Sequence, residues 1–212
     1  MGNNLSVDEI PKILKQPRMQ FYALIFMIDV YDTYLHEYPP APKEEEIHKV
    51  TEKGAFAKYE GLFGRIAWMA LSYAAWYLLL KKNVIKARAG EKLSKAELFF
   101  IAVTIGGFLL RVWCKQLLGR HYTYQITVYK DHQVMDKGPY SLIRHPGMGG
   151  ILINWMGICA WTNHWYGWAL YALILRDTYY HTLSEEKEFK KSLPEYSQYM
   201  KRVPARFIPF IW

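Results

Sequence analysis

Cysteine is scarce in this chain of 212 residues, which has only two, Cys114 and Cys159. Both stand inside apolar stretches, so they make no disulfide framework and read as free, buried thiols. Zinc-finger spacing and a basic arm are both missing. Nucleic acid is therefore the weaker partner for a formal charge of +8, and an anionic lipid surface or an acidic substrate the better one. No internal repeat and no low-complexity segment is found. The opening MGNNLSVDEI lacks the basic and apolar regions of a secretory signal. It does match the N-myristoylation pattern, with Gly2 as acceptor and Ser6 in place, although an ordinary disordered start is the reading preferred for it. The most telling absence is of charge: from Gly147 to Leu175 no Asp, Glu, Lys or Arg occurs across 29 positions.

What is abundant fits that absence. Aromatic residues reach 17%, with 17 Tyr and 8 Trp, as interfacial belts at a bilayer or a large aromatic core would require. Mean hydropathy is only −0.12, but polar ends mask apolar runs in such an average. Leu62 to Leu80 holds a single charge, Arg65, in 19 residues, enough to cross a hydrocarbon core of roughly 30 Å. Leu98 to Leu110 is a second apolar helix, continuing in more polar form through Arg111 and Lys115 to Leu118. The 147–175 run is too long for one helix of normal tilt. The sequence WTNHWYG at 161–167 divides it into a helical hairpin whose second arm continues past Arg176 to Leu183. Trp155, Trp161, Trp165 and Trp168 read as interfacial or packing residues. Residues 18–38 form a helix too short to span, and 39–54 form a Pro-rich, charged linker with a short helix.

The expected fold is all-α, a polytopic membrane helical bundle of roughly four crossings with both chain ends on one side. The alternative is a soluble helical protein with a large aromatic core. Three segments are expected: 1–58 with the short helix and linker, 59–118 with two membrane helices, and 119–212 with the hairpin. Most Lys and Arg fall on the side of the chain ends, which makes that side cytoplasmic. Six Lys and Arg in 81–97, read as a loop with some helix, face the other way and conflict with this orientation.

Chemistry concentrates in 118–150. Arg120, His121, Gln125, His132, Tyr140, Arg144 and His145 lie between two apolar helices and cannot all sit in lipid. A solvated loop would accommodate them, but the combination favours a ligand pocket. Gly138 and Gly147 allow backbone N–H groups to approach a ligand. Pro146 can start the next helix, whose N-terminus favours an anionic group.

This region resembles the isoprenylcysteine carboxyl methyltransferase family of integral membrane enzymes. The first family motif is matched by Gln125, His132, Gly138-Pro139-Tyr140 and Arg144-His145-Pro146, closing on Gly150. The second is matched by Glu185-Glu186, Phe189, Leu193-Pro194, Tyr196, Tyr199, Arg202-Val203-Pro204 and Ile208-Pro209. The resemblance covers about 118–212 and implies a cytosol-facing pocket for S-adenosylmethionine, formed by the C-terminal half. It further implies a lipophilic substrate that enters from the membrane, and a setting in the endoplasmic reticulum. Carried over by position, Gln125, His132, Gly138, Tyr140, Arg144, His145, Pro146 and Glu186 would form the cofactor site. No metal is called for.

Two positions depart from the family pattern. Met148 stands where the motif has Tyr. His181 stands four residues before the Glu pair, where an Arg is common. Asp177, His181 and Glu185 share one helical face, which a solvated surface would also explain. The resemblance makes Arg176, His181 and Glu185 the candidates for orienting a substrate carboxylate. The expected reaction is methyl transfer to the carboxylate of an isoprenylated cysteine or a similar lipophilic carboxylate. A phospholipid N-methyltransferase is the nearest rival, since His181 would suit an amine nucleophile. A non-catalytic membrane scaffold is the alternative from a different class.

Overall fold

The computed structural model describes residues 7–31, 46–49, 62–122, 126–129, 132–163 and 165–208. Gly2, Gln125, Asp32 and most of the 39–54 segment lie outside the described residues. The chain is mainly helical, as expected. Two short helices, α1 (Ile10–Leu14) and α2 (Pro17–Val30), precede the long α3 (Leu62–Arg88), α4 (Lys95–Leu118), α5 (Pro146–Thr162) and α6 (Trp165–Ser192), and α7 (Tyr196–Arg202) ends the helical part. One short element departs from helix within this all-α fold. Glu46–Lys49 is a strand, β1, not a short helix, and it pairs antiparallel with β2 (Thr127–Tyr129) across a bulge between Glu46 and His48.

The helix boundaries have local causes. Ser94 caps α4 by accepting from the Glu97 backbone N–H, while the Glu97 carboxylate accepts from the Ser94 N–H, a reciprocal capping box. Pro146 occupies the first turn of α5, where its missing N–H costs nothing. The hairpin turns at Asn163, whose left-handed φ of 51° is one that Asn tolerates better than most residues. The turn is tighter than the 161–167 break expected from sequence. The basic 81–97 segment is likewise mostly helix, with only residues 89–94 between α3 and α4.

Three of the six basic residues in 81–97 are engaged within the protein. Lys82 Nζ donates to the Trp161 carbonyl at 2.9 Å. Lys86 and Arg18 both bind Glu97, Arg18 at 2.6 Å and 3.0 Å, and Arg88 pairs with Glu9. Such pairing eases the conflict with the orientation drawn from loop charges.

Helices α4 and α5 pack most closely, through small residues. A Cβ placed on Gly107 would lie 2.5 Å from the Asn154 backbone nitrogen, and one on Gly157 2.8 Å from the Phe100 carbonyl oxygen. Backbones this close exclude any larger side chain, a packing mode common between membrane helices. The main apolar core joins Ile25, Trp76, Ile101, Trp155, Trp161 and Phe207. Trp155 and Trp161 are thus packing residues, whereas Trp165 and Trp168 are exposed. Both cysteines are free and buried, as expected.

Lys95–His121 is long and apolar enough to cross a membrane by length and composition, and it is the only such helix found among the described residues. Only 33% of its most apolar window is buried, and Leu98, Phe99, Leu109 and Trp113 face outward. The core helix of a soluble protein would cover that surface; a lipid-facing helix leaves it open. At 17 residues α5 is shorter, and α6 turns charged after Leu175.

Candidate functional site

The loop between α4 and α5, the start of α5, the second half of α6 and helix α7 enclose one cavity. Its construction begins at Arg144 and His145. Their backbone N–H groups donate to the carbonyls of Ala205 and Arg206, so the C-terminal tail lies along the entrance to α5 as a short extended pair. The Arg144 side chain extends that pairing. Its Nη1 donates to the Val203 and Pro204 carbonyls at 2.8 Å and 2.6 Å, and its Nε to Glu186 at 2.8 Å.

Glu186 is 3% exposed and carries a second guanidinium, because Arg206 donates to both of its oxygens at 3.0–3.2 Å. Burial would favour the neutral acid, but the nearby His145 imidazole and the hydrogen bonds from Arg206 and Arg144 outweigh it and hold the carboxyl far below its usual range. Glu185, the next residue, points elsewhere. Its carboxylate is 23% exposed, lies 3.2 Å from His145 Nδ1 and borders the cavity. Burial disfavours protonation of His145, yet its contacts with Glu185 and Glu186 prevail and raise its pKa. Burial likewise opposes ionisation of Glu185, and the His145 hydrogen bond overrides it and lowers its pKa. Both shifts favour the imidazolium–carboxylate form of the pair.

Aromatic rings form much of the rest. Tyr140 borders the cavity, its backbone carbonyl accepts from the Tyr199 hydroxyl at 2.7 Å, and burial keeps its own phenol protonated. His121 and His132 lie with ring centroids 5.1 Å apart, and Phe189 packs against His132 at 5.2 Å. Leu118 and Met148 also line the cavity.

The structure thus brings His132, Tyr140, Arg144, His145, His181 and Glu185 to one cavity. Four of the expected site residues do not line it. Glu186 does not line the cavity; it lies beneath it and anchors the tail. Gly138 supports the loop with a φ of 57° and packs towards Leu117 and Trp113. Pro146 is fully buried at the start of α5. Arg176 is exposed, with its guanidinium 5.3 Å over the Tyr180 ring, and does not reach the cavity. Nine residues are roughly two and a half helical turns, so Arg176 leaves α6 from the face opposite Glu185. By the same geometry His181 and Glu185, four residues apart, do share the cavity face, while Asp177 is exposed and outside it. Gln125 lies outside the described residues.

Two contributors escaped the sequence reading. Arg206 has no motif of its own, and only a buried Glu186 in need of cations could have pointed to it. Arg111 was visible as a charge within an apolar helix, which is a signal of function in itself.

A polar, ion-paired pocket with aromatic walls is set against the end of an outward-facing apolar helix. The family model described as Isoprenylcysteine carboxyl methyltransferase (ICMT) family matches residues 100–189, which span α4 to the second half of α6. The match covers somewhat under half of the chain and supports membership of that membrane-associated family of methyltransferases. No curated protein matches the chain significantly.

Proposed function

We propose that this protein transfers a methyl group from S-adenosylmethionine to the carboxylate of an isoprenylated cysteine or a similar lipophilic carboxylate. The observation that carries the reading is the composition of the cavity, which joins the polar His145–Glu185 pair with the apolar side chains of Leu118 and Met148. A polar ligand and an apolar one meet only where two such walls adjoin.

The residues present suit S-adenosylmethionine. His145 Nε2 is buried without a hydrogen-bond partner, 3.4 Å from Glu186 Oε1 but not in bonding geometry, so the pocket holds polar capacity beyond its internal pairs. The partly exposed Glu185 carboxylate attracts a cationic group, and the Tyr140 and Tyr196 rings offer faces for a sulfonium. When bound, the cofactor supplies an electrophilic methyl group. The acceptor carboxylate is already ionised at neutral pH, so no strong base is needed. The work of the chain is to orient both partners and exclude water. His145 contributes by holding Glu185 in place, and the docked 203–207 tail by closing the pocket from outside.

The reading includes four crossings, by α3, α4, α5 and the first half of α6. It places the cavity on the cytosolic side of the endoplasmic reticulum membrane and lets the lipophilic substrate enter from the bilayer. The outward apolar face of α4 and the basic residues near the chain ends support this. One observation favours a second reading: His181, a possible proton acceptor, lines the cavity, as an N-methyltransferase of phosphatidylethanolamine-type lipids would need.

The test uses full-length protein in mild detergent with methyl-labelled S-adenosylmethionine. It is offered N-acetyl-S-farnesylcysteine or phosphatidylethanolamine. Base-labile label on the first is the expected result. Base-stable label on the second moves the protein to the phospholipid class. Failure to bind the cofactor at all leaves a membrane scaffold.

A further inference from the structure

The walls of the cavity are not equally secured. At the entrance of α5, the tail is fixed by two backbone hydrogen bonds and by the Arg144 and Arg206 contacts to buried Glu186. Between α4 and α5 the backbones touch, since a Cβ on Gly150 would lie 2.7 Å from the Gly107 carbonyl oxygen. Helix α7 is held by Tyr199, whose hydroxyl donates to the Tyr140 carbonyl, and by its buried cluster with Tyr196 and Val203. The wall formed by Ile126 and Thr127 is different. Each is 4% exposed, and Thr127 opens β2, a strand of three residues. Its partner β1 has four residues, and a bulge between Glu46 and His48 interrupts the pairing. A two-stranded ribbon so short is marginal in water, and a bulge weakens the ladder further.

We propose that β1 is the gate of this cavity: paired with β2 it seals the water-soluble cofactor in, and its release opens the route by which the cofactor enters and leaves. The proposal rests on the methyl-transfer reading above. Lids over ligand sites are drawn from the least stable elements of a fold, and β1–β2 is the least secured of these walls.

Placement argues the same way. A charged cofactor does not pass between apolar helices, so its door must face water. β1 belongs to the charged stretch KEEEIHKVTEK at 43–53, and β2 follows the polar end of α4. Thr127 lines the cavity while Val128, the next residue, does not, as alternation along a strand requires. Lys49 is registered opposite Thr127, and His48 opposite Val128. Loss of β1 would therefore bare the edge of β2 directly beside Thr127. β2 has a hold of its own, because the Tyr129 ring meets His121 edge-on at 5.8 Å and stacks on His132 at 6.5 Å. The inner strand thus stays as wall and the outer one acts as door. β1 also lies outside residues 100–189, so a segment beyond the family match completes the pocket.

The test uses the full chain in mild detergent. His48→Cys and Val128→Cys, introduced together, allow a disulfide across the two strands without altering a residue that lines the cavity. Cys114 and Cys159 are buried, which leaves the new pair to close on itself. With the disulfide formed, S-adenosylmethionine is expected to associate and dissociate about tenfold or more slowly at a nearly unchanged Kd, and reduction should restore both rates. Unchanged rates with a disulfide verified by mass overturn the proposal. Should that variant not fold, His48→Pro and Lys49→Pro decide, made singly. Pairing alternates along the strand, so one of the two withdraws a ladder N–H. Cofactor release about tenfold faster in one of them supports the gate, and unchanged release in both overturns it. Hydrogen exchange of the ligand-free chain reads the gate without the cofactor. The N–H groups of residues 127–129 are expected to exchange about tenfold or more faster than those of Arg144 and His145 on the tail. Equal or slower exchange overturns the proposal. Faster exchange in a chain that binds no S-adenosylmethionine would keep the opening wall and count against the methyl-transfer reading alone.

Discussion

Arg144 binds Glu186 through Nε at 2.8 Å and with Nη1 reaches the carbonyls of Val203 and Pro204. One side chain thereby ties the entrance of α5, the middle of α6 and the C-terminal tail. Arg206 approaches the same carboxylate from the tail itself. The cavity is shaped by this buried knot more than by any single helix.

Glu186→Gln is expected to destabilise the fold by about 3–5 kcal/mol, because it leaves two guanidinium groups facing a neutral amide in a buried setting. Cofactor affinity should fall with it as the tail loosens. Unfolding measurements in detergent, run beside cofactor binding, check both effects. A variant as stable as wild type would refute the role assigned to Glu186.

Glu185→Gln should behave in the opposite manner. Its carboxylate opens to the cavity and supports no tail contact. Affinity for S-adenosylmethionine is expected to drop roughly ten- to a hundredfold, in line with the loss of a charge-assisted contact, with a smaller fall in Tm than in Glu186→Gln because only the His145 pair is lost. Calorimetric titration of the two neighbouring variants separates the pocket residue from the anchoring one.

The ion pairs set a pH window. His145 has a raised pKa, so its contribution to stability is complete below its ordinary value of 6.5 and is lost as pH rises through the raised folded value. Glu185 and Glu186 have lowered values, so their contribution is present above the ordinary 4.5 and is lost as pH falls through the folded ones. Tm should therefore decline on both sides of the neutral range. His145→Gln should flatten the alkaline side and shrink the acid side to the part that Arg144 and Arg206 give Glu186, which a Tm–pH series would reveal.

Adjacent glycines on α4 should differ sharply. Gly107→Ala would place a Cβ 2.5 Å from the Asn154 nitrogen and 2.7 Å from the Gly150 carbonyl oxygen, both backbone atoms that cannot yield cheaply. It is expected to cost about 1–3 kcal/mol and to push α4 from α5. A Cβ on Gly106 meets nothing within 4 Å, so Gly106→Ala should be neutral or slightly stabilising through helix propensity. Thermal unfolding of the two variants makes the comparison.

Much of the architecture was legible in the order of residues, because it depends on neighbours along the chain. The apolar runs set α4 and the α5–α6 hairpin, Asn163 marks the turn, and Pro146 starts α5. The spacing of His181 and Glu185 puts both on one helical face. The Arg-His-Pro and Glu-Glu motifs pointed to the region that matches the methyltransferase family. What depends on contacts between distant segments was not legible. Nothing local tells that Glu46–Lys49 would pair with Thr127–Tyr129, or that Arg206 would return to a carboxylate twenty residues before it. Nor could order along the chain decide between Glu185 and Glu186. Consecutive helical residues point about 100° apart, and only the packing of the tail and of α5 determined which of the two faces the cavity and which is buried beneath it.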